Sequence, residues 1–434
     1  MKRFLLVGIL TWLHIHTYAQ FSAYCTESRF GDDLTFAAGD IITEYNIPYG
    51  LADNWYGNVV NYKWNTFDIA YPDLAVDELQ RRPLIVLFHG GGFGGGDKDD
   101  LDAYIFELAQ RGYVAASCNY RLGWETGGAD PSDCLGDPAS LLDAWYRCSQ
   151  DVDAAIRYLT SEANMYGIDT AWIFAGGQSA GVMGVTTAIC VPQTVLDQQY
   201  TIQSEKLGPL AGADNPIDEK YTIKGIVNMW GAILDTIYLT QEKNIPFISF
   251  YGDADRLISP QSGPVHGCTE PNQYFTVFGS AAITNRLEHV QTCTILHENK
   301  MGSHEAYADA FTIPNTACFV KSILCSDCIS GHYINDVGSC RDSYTSGLDI
   351  PVGDLLIYPD PADQFIRVEL PAWRDHAGMH ITVYDVSGKT LYSLVQGNMD
   401  PVFIPVADLP NGIYILECNT NSQVYTGKCL VQHH

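Results

Sequence analysis

Between residues 66 and 325, short apolar runs alternate along the chain with segments whose apolar residues recur every three or four positions. The runs predict buried strands and the longer period predicts helices. The predicted strands cover residues 66–71, 84–88, 113–118, 171–175, 224–230, 245–251 and 292–297, and the predicted helices cover 100–110, 151–163 and 180–190. Wholly apolar strands alternating with helices indicate an α/β fold, a doubly wound and mostly parallel sheet covered on both faces.

Two long segments interrupt this alternation. Residues 193–222 are polar, rich in turn-forming residues and longer than an ordinary connection, so they form either a cap beside the functional site or a surface insertion. Residues 122–147 contain several glycines and two prolines. We expect this second segment to be irregular and shaped by a disulfide bridge.

The pattern changes after residue 340. Short strands separated by turns are predicted over residues 355–358, 365–370, 381–385, 390–394, 402–405, 413–418 and 423–431. They indicate a small C-terminal β-sandwich over residues 355–434, joined by a linker at 342–354 to a main domain at 20–341.

The N-terminus is typical of an export signal. Lys2 and Arg3 precede a short apolar stretch over residues 4–13, and Ala19 ends a small-residue cleavage site. We therefore expect a signal peptide over residues 1–19, no membrane span, and a secreted or cell-surface protein; an uncleaved anchor is the alternative. The formal net charge of -27 argues against nucleic-acid and anionic-membrane partners.

The chain contains 13 cysteines, which in an exported protein favour disulfides. Because the number is odd, at least one is unpaired or pairs between chains, and Cys118 in an apolar run is the candidate for a free thiol. Sequence proximity suggests three bridges: Cys134–Cys148, Cys268–Cys293 and Cys418–Cys429. A further cluster, for which bridges are favoured over zinc, comprises Cys318, Cys325, Cys328 and Cys340.

The strongest chemical signal is the sequence G-Q-S-A-G at residues 177–181. A serine lifted clear of a sheet by a sharp strand-to-helix turn requires small residues two positions before and after it. A predicted strand precedes Ser179 and a predicted helix follows it, which is the context that this turn requires. Ser179 is therefore the candidate nucleophile.

A glycine-rich loop follows the predicted strand at 84–88. It begins at His89 and contains Gly91, Gly92 and Phe93. Glycines let backbone N–H groups approach a developing oxyanion closely, so the amides of Gly91 and Gly92, with that of Ala180, form the predicted oxyanion hole. His89 is expected to organise this loop rather than to act as a base. A nucleotide-binding interpretation is weak, because no P-loop lysine follows.

A serine nucleophile needs a general base and an acid that orients it. His304, on a loop after the predicted strand at 292–297, is the candidate base, and Asp255, after the strand at 245–251, is the candidate acid. Asp253 in the same loop is the alternative acid. Three other histidines are given no catalytic role: His297 is expected to be structural, and His266 and His289 to lie at the surface.

Four aromatic residues near predicted strand ends are candidates for lining a substrate pocket, although such residues more often pack in the core. They are Phe93, Trp124, Trp230 and Tyr251.

At these motifs the chain resembles α/β-hydrolase esterases, especially the hormone-sensitive-lipase-like and type-B carboxylesterase families. The resemblance covers about residues 66–325 and is carried by HGGGF at 89–93, NYRLG at 119–123, DVDAAIRYL at 151–159 and GGQSAG at 176–181. It implies an α/β-hydrolase fold and ester hydrolysis without a cofactor or metal. Asp255 stands where type-B enzymes usually carry glutamate, which favours the lipase-like or feruloyl-esterase-like side.

The C-terminal part resembles a type IX secretion sorting domain. The matching residues are IYPDPA at 357–362, VYDVSGK at 383–389 and LPNGIY at 409–414. This resemblance implies bacterial secretion machinery as a partner; a carbohydrate-binding sandwich is the alternative.

Taken together, these features predict a secreted serine carboxylic ester hydrolase, a carboxylesterase or lipase that works through an acyl-enzyme. Feruloyl or acetyl esters of polysaccharides, short acylglycerols and polyesters all remain open as substrates. A serine peptidase on the same fold and a catalytically inactive surface adhesion protein are the alternatives.

Overall fold

A computed structural model describes residues 24–25, 29–51, 65–128 and 133–340, and, in the C-terminal part, 353–354, 356–358, 362–369, 379–385, 389–396, 402–419 and 424–433. The chain divides into two compact units, Met1–Ser346 and Gly347–His434. The predicted signal peptide and most of the predicted linker lie outside the described residues, and the predicted domain boundaries stay predictions.

The first unit is built on a nine-stranded sheet in the order β1-β2-β4-β3-β5-β6-β8-β11-β12. β1 and β2 pair antiparallel, as do β2 and β4, and the remaining neighbours are parallel. The strands are β1 (Ile41–Pro48), β2 (Thr66–Pro72), β3 (Arg82–Phe88), β4 (Val114–Cys118), β5 (Ile168–Gln178), β6 (Ile223–Met229), β8 (Phe247–Gly252), β11 (Thr294–Asn299) and β12 (Gly331–Ile334). This mostly parallel sheet confirms the predicted α/β-hydrolase fold.

Helices cover both faces of the sheet. They are α1 (Asp102–Gln110), α2 (Pro138–Ser161), α3 (Ala163–Tyr166), α4 (Ala180–Cys190), α5 (Gln193–Gln199), α6 (Thr201–Leu207), α7 (Ser280–His289) and α8 (Asp309–Leu324). Side chains of β3 alternate between two buried clusters: Leu84 and Val86 pack with α2 and α4, whereas Ile85 and Leu87 pack with α1 and α8. A small antiparallel sheet beside them joins β7 (Ala232–Ile233), β10 (Thr276–Gly279) and β9 (Ser262–Pro264).

No single helix in the described ranges is long and apolar enough to cross a membrane. The bent pair α4 and α5 reaches the required length and apolarity only when the two helices are taken together.

Helix α2 begins earlier than the sequence pattern predicts. Asp137 caps it by accepting a hydrogen bond of 2.8 Å from the amide of Ser140. Pro138 stands in the first turn, where its fixed φ suits a helix and its missing N–H is not needed. The expectation of an irregular segment through residue 147 is therefore wrong beyond Asp137.

The segment 193–222 contains α5 and α6 and packs along α2. Gln203 donates to Asp143 at 3.1 Å, Gln150 donates to the carbonyl of Leu207 at 2.8 Å, and the Tyr146 hydroxyl donates to that of Gly208 at 2.9 Å. These contacts attach the segment to α2 and favour a surface insertion over a cap.

Four disulfides are described, and they differ from the pairs suggested by proximity in sequence. They are Cys25–Cys325, Cys134–Cys268, Cys293–Cys328 and Cys318–Cys340. All four members of the predicted cluster form bridges, which confirms the preference for bridges over zinc. Cys118 is a buried free thiol, as expected.

All three suggested bridges are wrong. Cys134 and Cys268 bond each other rather than their neighbours in sequence. Cys148 is a buried free thiol of α2 facing Gly184 of α4. Cys418 lies opposite Tyr425 and is not in a disulfide, so it does not bridge to Cys429.

A buried charge network joins α2 to the end of the inserted segment. Arg121 donates to Asp151 at 2.8 Å, and its guanidinium lies 3.2 Å from Asp214. Burial raises the pKa of Asp214 well above its ordinary value, and the negative charge of Asp151 raises it further. We therefore expect Asp214 to stay protonated in the folded protein after the unfolded chain has ionised.

This shift predicts that Asp214→Asn flattens the dependence of folding stability on pH. Asp214 contributes its full stability below the unfolded pKa of about 4 and loses it as pH rises towards the higher folded pKa. Between these two pKa values, the free energy of unfolding of the wild type falls by about 1.4 kcal/mol per pH unit, whereas that of Asp214→Asn lacks this decrease. Chemical denaturation from pH 4 to 8 measures the difference. Glu242→Gln, at an exposed position, is the control; equal slopes for wild type and Asp214→Asn would contradict the assignment.

The second unit consists of two small sheets. One has the order β13-β20-β19-β16-β17 and the other β14-β15-β18. The strands are β13 (Gly353–Asp354), β14 (Leu356–Tyr358), β15 (Phe365–Glu369), β16 (Met379–Asp385), β17 (Thr390–Gln396), β18 (Val402–Pro405), β19 (Gly412–Asn419) and β20 (Val424–Val431). Ile366 and Ile404 of one sheet share a buried cluster with Ile381 and Leu416 of the other, so the unit is the predicted β-sandwich.

Candidate active site

Ser179 lies at the sharp turn between β5 and α4. Its φ of 47° and ψ of -113° are unusual for a residue with a side chain. A Cβ at Gly177 would lie 2.0 Å from the carbonyl oxygen of Phe88, and a Cβ at Gly181 would lie 2.3 Å from the same oxygen. Both glycines are therefore required because the end of β3 passes directly against the turn.

The structure brings Ser179 together with His304 and Asp255, from two loops that follow β11 and β8. His304 Nε2 lies 2.9 Å from Ser179 Oγ, and His304 Nδ1 lies 2.7 Å from Asp255 Oδ2. The side chain of Asp255 is 2% exposed and that of His304 is 12% exposed. The imidazole therefore bridges a hydroxyl and a buried carboxylate, the arrangement needed to activate a serine.

The two candidate acids are separated by their contacts. The other oxygen of Asp255 accepts hydrogen bonds from the amides of Leu257 at 2.8 Å and Ile258 at 3.0 Å, which fix the orientation of the carboxylate. Asp253 instead accepts from the amide of Met301 at 2.6 Å and lies 3.6 Å from the Lys300 ammonium. Asp253 therefore holds the loop that carries His304, whereas Asp255 contacts the imidazole.

The glycine-rich loop passes beside Ser179. A Cβ at Gly90 would lie 3.5 Å from the Cβ of Ser179. The next three residues all have left-handed backbones, with φ of 99° at Gly91, 61° at Gly92 and 65° at Phe93. This run turns the chain sharply beside the serine, and Ala180 begins α4 directly after it. The glycine-rich loop therefore meets Ser179 at Gly90, and Ala180 is the residue that follows the serine in the chain.

Tyr120, to which sequence reasoning gave no role, supports this loop. Its hydroxyl donates to the carbonyls of His89 and Gly90, both at 3.1 Å, and its ring stacks on His89 at 4.3 Å. Burial lowers the pKa of His89, so its ring is neutral. His89 Nδ1 lies 2.7 Å from the Gly90 carbonyl, an acceptor only, so Nδ1 carries the proton. Tyr120 belongs to the NYRLG motif at 119–123, and this motif is the sequence feature that could have indicated its supporting role.

A cavity of about 570 Å³ borders the residues just before Ser179 and just after His304. Among the described residues, its lining contains two aromatic residues, Trp230 and Tyr307, and three acidic residues but no basic one. The full lining is Gly90, Gly91, Gly96, Asp100, Gln178, Trp230, Glu305, Ala306, Tyr307, Ala308 and Asp309. Trp230 is thus the one of the four candidate aromatic residues that lines this cavity.

The other three aromatic candidates lie elsewhere. Phe93 is buried, and its ring centroid lies 6.3 Å from that of Tyr120, with the two rings steeply inclined. Trp124 is 5% exposed and stacks on His266. Tyr251 is 6% exposed, and burial raises the pKa of its hydroxyl, as does the nearby Glu298 carboxylate.

His266 is not the surface residue that the sequence suggested. Its ring stacks on Trp124 at 4.9 Å, and a Cβ at Gly92 would lie 3.6 Å from it. Nothing in the local sequence pattern indicates this position. His297 is buried between Phe250 and Tyr333, and burial lowers its pKa to about 3, as expected of a structural residue. His289 is exposed.

One group of carboxylates in the described ranges has the spacing of metal ligands. Asp68, Asp99 and Asp102 offer oxygens within 4.8 Å of one another. The Lys98 ammonium lies 2.8 Å from Asp68, so a positive charge of the protein itself already stands beside these acids. Burial and the neighbouring acids raise the pKa of Asp102 to about 6. We therefore assign no metal to this group.

Comparison with known proteins identifies the C-terminal unit. Residues 356–432 match the family model of the secretion system C-terminal sorting domain. This match confirms the sorting-domain resemblance and indicates export to the cell surface or beyond.

Elsewhere the similarities are more distant. A stretch of 76 residues is 36% identical to the neuroligin-like protein glit-1 of Caenorhabditis elegans, covering 18% of this chain and 10% of that protein. The match thus spans about a tenth of the length of that curated relative.

Similar solved structures include several esterases. Esterase B from Lactobacillus rhamnosis, inhibited with a tributyrin phosphonate, has a TM-score of 0.41 at 15% identity over 75% of this chain and 96% of its own. A truncated carbohydrate esterase from gut microbiota has a TM-score of 0.42 at 14% identity over 67% of this chain and 98% of its own. Est2 from Thermogutta terrifontis, with butyrate bound, has a TM-score of 0.40 at 17% identity over 60% of this chain and 84% of its own.

Proposed function

We propose that this protein is an exported serine hydrolase of carboxylic esters. The observation that carries the proposal is the contact of one imidazole, His304, with both the Ser179 hydroxyl at 2.9 Å and the Asp255 carboxylate at 2.7 Å. The glycine-rich loop beside Ser179 and the cavity lined by the adjacent residues Gln178 and Glu305 support the other two requirements, anion stabilisation and space for a substrate.

In the proposed reaction, Ser179 Oγ attacks the ester carbonyl carbon while His304 Nε2 takes the hydroxyl proton. Asp255 accepts from Nδ1–H, which keeps Nε2 free as the base and stabilises the imidazolium. The amides of Gly91, Gly92 and Ala180 donate to the oxyanion. His304 then returns the proton to the departing alcohol, and water, activated in the same way, hydrolyses the acyl-enzyme.

A fluorophosphonate probe and two substrate series test this proposal. Wild-type protein should be labelled at Ser179 and should hydrolyse p-nitrophenyl acyl esters but not peptide p-nitroanilides. Hydrolysis of the anilides with little activity on esters would instead identify a peptidase. If neither labelling nor hydrolysis is detected, the proposal is wrong and an inactive adhesion protein is favoured.

The cavity's charge predicts a preference among esters. Because the charged residues in its described lining, Asp100, Glu305 and Asp309, are all acidic, anionic esters should react more slowly than neutral ones of the same shape. For 4-acetoxybenzoate against 4-acetoxybenzamide, each corrected for its alkaline hydrolysis rate, we expect kcat/KM to be about 3–10-fold lower for the anion. Glu305→Gln should reduce the difference in kcat/KM between the neutral and the anionic ester. High salt should reduce the same difference in the wild type. An anion that reacts as fast as the amide would contradict the prediction.

A further inference from the structure

Two loops that lie far apart in sequence meet beside the candidate active site, and each contacts a different part of it. The first comprises the described residues 122–128 and 133–137, and the second comprises residues 257–274, which include β9. We call these two loops, with the contacts between them, the brace.

The first loop forms hydrogen bonds with the glycine-rich loop that contains Gly91, Gly92 and Phe93. The amides of Gly123 and Trp124 both donate to the carbonyl of Phe93, at 2.9 Å and 3.2 Å. Phe93 is the third of the consecutive left-handed residues, with φ of 65°, a conformation that costs free energy for a residue with a side chain. Because these hydrogen bonds fall at that residue, the first loop helps to fix the direction of the Gly91 and Gly92 amides.

The second loop holds the candidate acid. The amide of His266 donates to the carbonyl of Leu257 at 2.7 Å, and the amide of Leu257 donates to Asp255 at 2.8 Å. The position of His266 is therefore connected through a single residue to the carboxylate that contacts His304. His266 itself has a left-handed backbone, with φ of 57°.

The two loops are joined by a covalent bond, a ring stack and a hydrogen bond. Cys134 and Cys268 form a disulfide. The rings of Trp124 and His266 stack with centroids 4.9 Å apart and planes 13° apart. The side-chain amide of Asn272 donates to the carbonyl of Gly136 at 3.0 Å. The contact is also close to the glycine loop, since a Cβ at Gly92 would lie 3.6 Å from both rings.

The geometry points to a positioning role: the Cys134–Cys268 disulfide and the Trp124–His266 stack fix the oxyanion amides relative to Asp255 and hence to His304. This inference rests on the proposed ester hydrolysis. Oxyanion stabilisation and proton transfer act on the same transition state. A displacement of the oxyanion amides relative to Asp255 and His304 therefore lowers kcat more than it weakens substrate binding. The residues of the disulfide and of the ring stack are not in contact with a reacting atom of the proposed reaction. They act through Phe93 and Leu257.

The test compares two disulfide deletions in the full-length protein. Cys134→Ser/Cys268→Ser removes the brace disulfide, and Cys293→Ser/Cys328→Ser removes a bridge between the residue just before β11 and the segment after α8. Assayed well below its melting temperature, the first variant should lose about 10–100-fold in kcat with KM within about 3-fold of wild type, and should react correspondingly more slowly with the fluorophosphonate. The second should lose thermal stability but keep kcat.

A third variant, His266→Leu, leaves the disulfide in place and removes the stacked ring. It decides the question if the first variant does not fold, and a loss of kcat at unchanged KM is again expected. Wild-type kcat in a folded brace variant, or an equal loss in the control variant, overturns the positioning role while leaving the proposed hydrolysis intact. Wild-type protein that neither hydrolyses esters nor is labelled at Ser179 overturns both.

Discussion

Ser179→Ala loses at least about 10⁴-fold in kcat on p-nitrophenyl esters and is not labelled by a fluorophosphonate. The variant lacks Ser179 Oγ, which lies 2.9 Å from His304 Nε2 beside the glycine-rich loop. Without it no acyl-enzyme forms, and only the slower attack of water assisted by the same amides remains. Single-turnover and steady-state kinetics on a purified variant measure the loss.

The matched control is Ser303→Ala, in the loop that carries His304. The Ser303 hydroxyl donates to the carbonyl of His304 at 3.2 Å and is exposed, so its loss should change kcat by no more than about 3-fold. Both variants should have wild-type circular dichroism, since Ser179→Ala leaves the small side chain that the turn requires. An Ser179→Ala protein with more than a tenth of wild-type activity, about 1.4 kcal/mol in barrier, would refute the nucleophile assignment.

Asp255→Asn is expected to lower kcat by about 10³–10⁴-fold while leaving the fold unchanged. The amides of Leu257 and Ile258 donate to Oδ1, so the asparagine oxygen must take that position. The NH₂ group then faces His304 Nδ1 and donates to it. This bond stabilises the tautomer that carries its proton on Nε2, which cannot accept the proton of Ser179.

Asp253→Asn is the control for this prediction, because Asp253 lies two residues away and was the competing candidate. Its main contact is to a backbone amide, that of Met301, which an asparagine oxygen can also accept. We expect a change in kcat of no more than about 3-fold. The opposite result, a large loss for Asp253→Asn and a small one for Asp255→Asn, would exchange the two roles. The measurement is kcat and kcat/KM between pH 6 and 9.

The sequence by itself determined the features that depend on neighbouring residues. Alternating apolar runs and helical periods identified the sheet because burial on both faces demands apolar strands. The glycines around Ser179 identified the turn because the steric limit there is imposed within a few residues. Chain order placed Asp255 and His304 after later strands, as this fold requires. Helix α2 begins earlier than predicted because the glycines and prolines over residues 123–138 indicate a loop, although Asp137 and Pro138 are good starting residues for a helix.

Only the tertiary structure decided which distant groups meet. Asp253 and Asp255 belong to one turn and have the same chemistry, and the choice depends on which carboxylate faces an imidazole 49 residues further along the chain. Disulfide partners such as Cys134 and Cys268, 134 residues apart, likewise depend on which loops the sheet order brings together. The contact of His266 with Trp124 has the same origin. Local sequence fixes backbone conformation and burial, whereas contacts between loops follow from the positions of the strands that carry them.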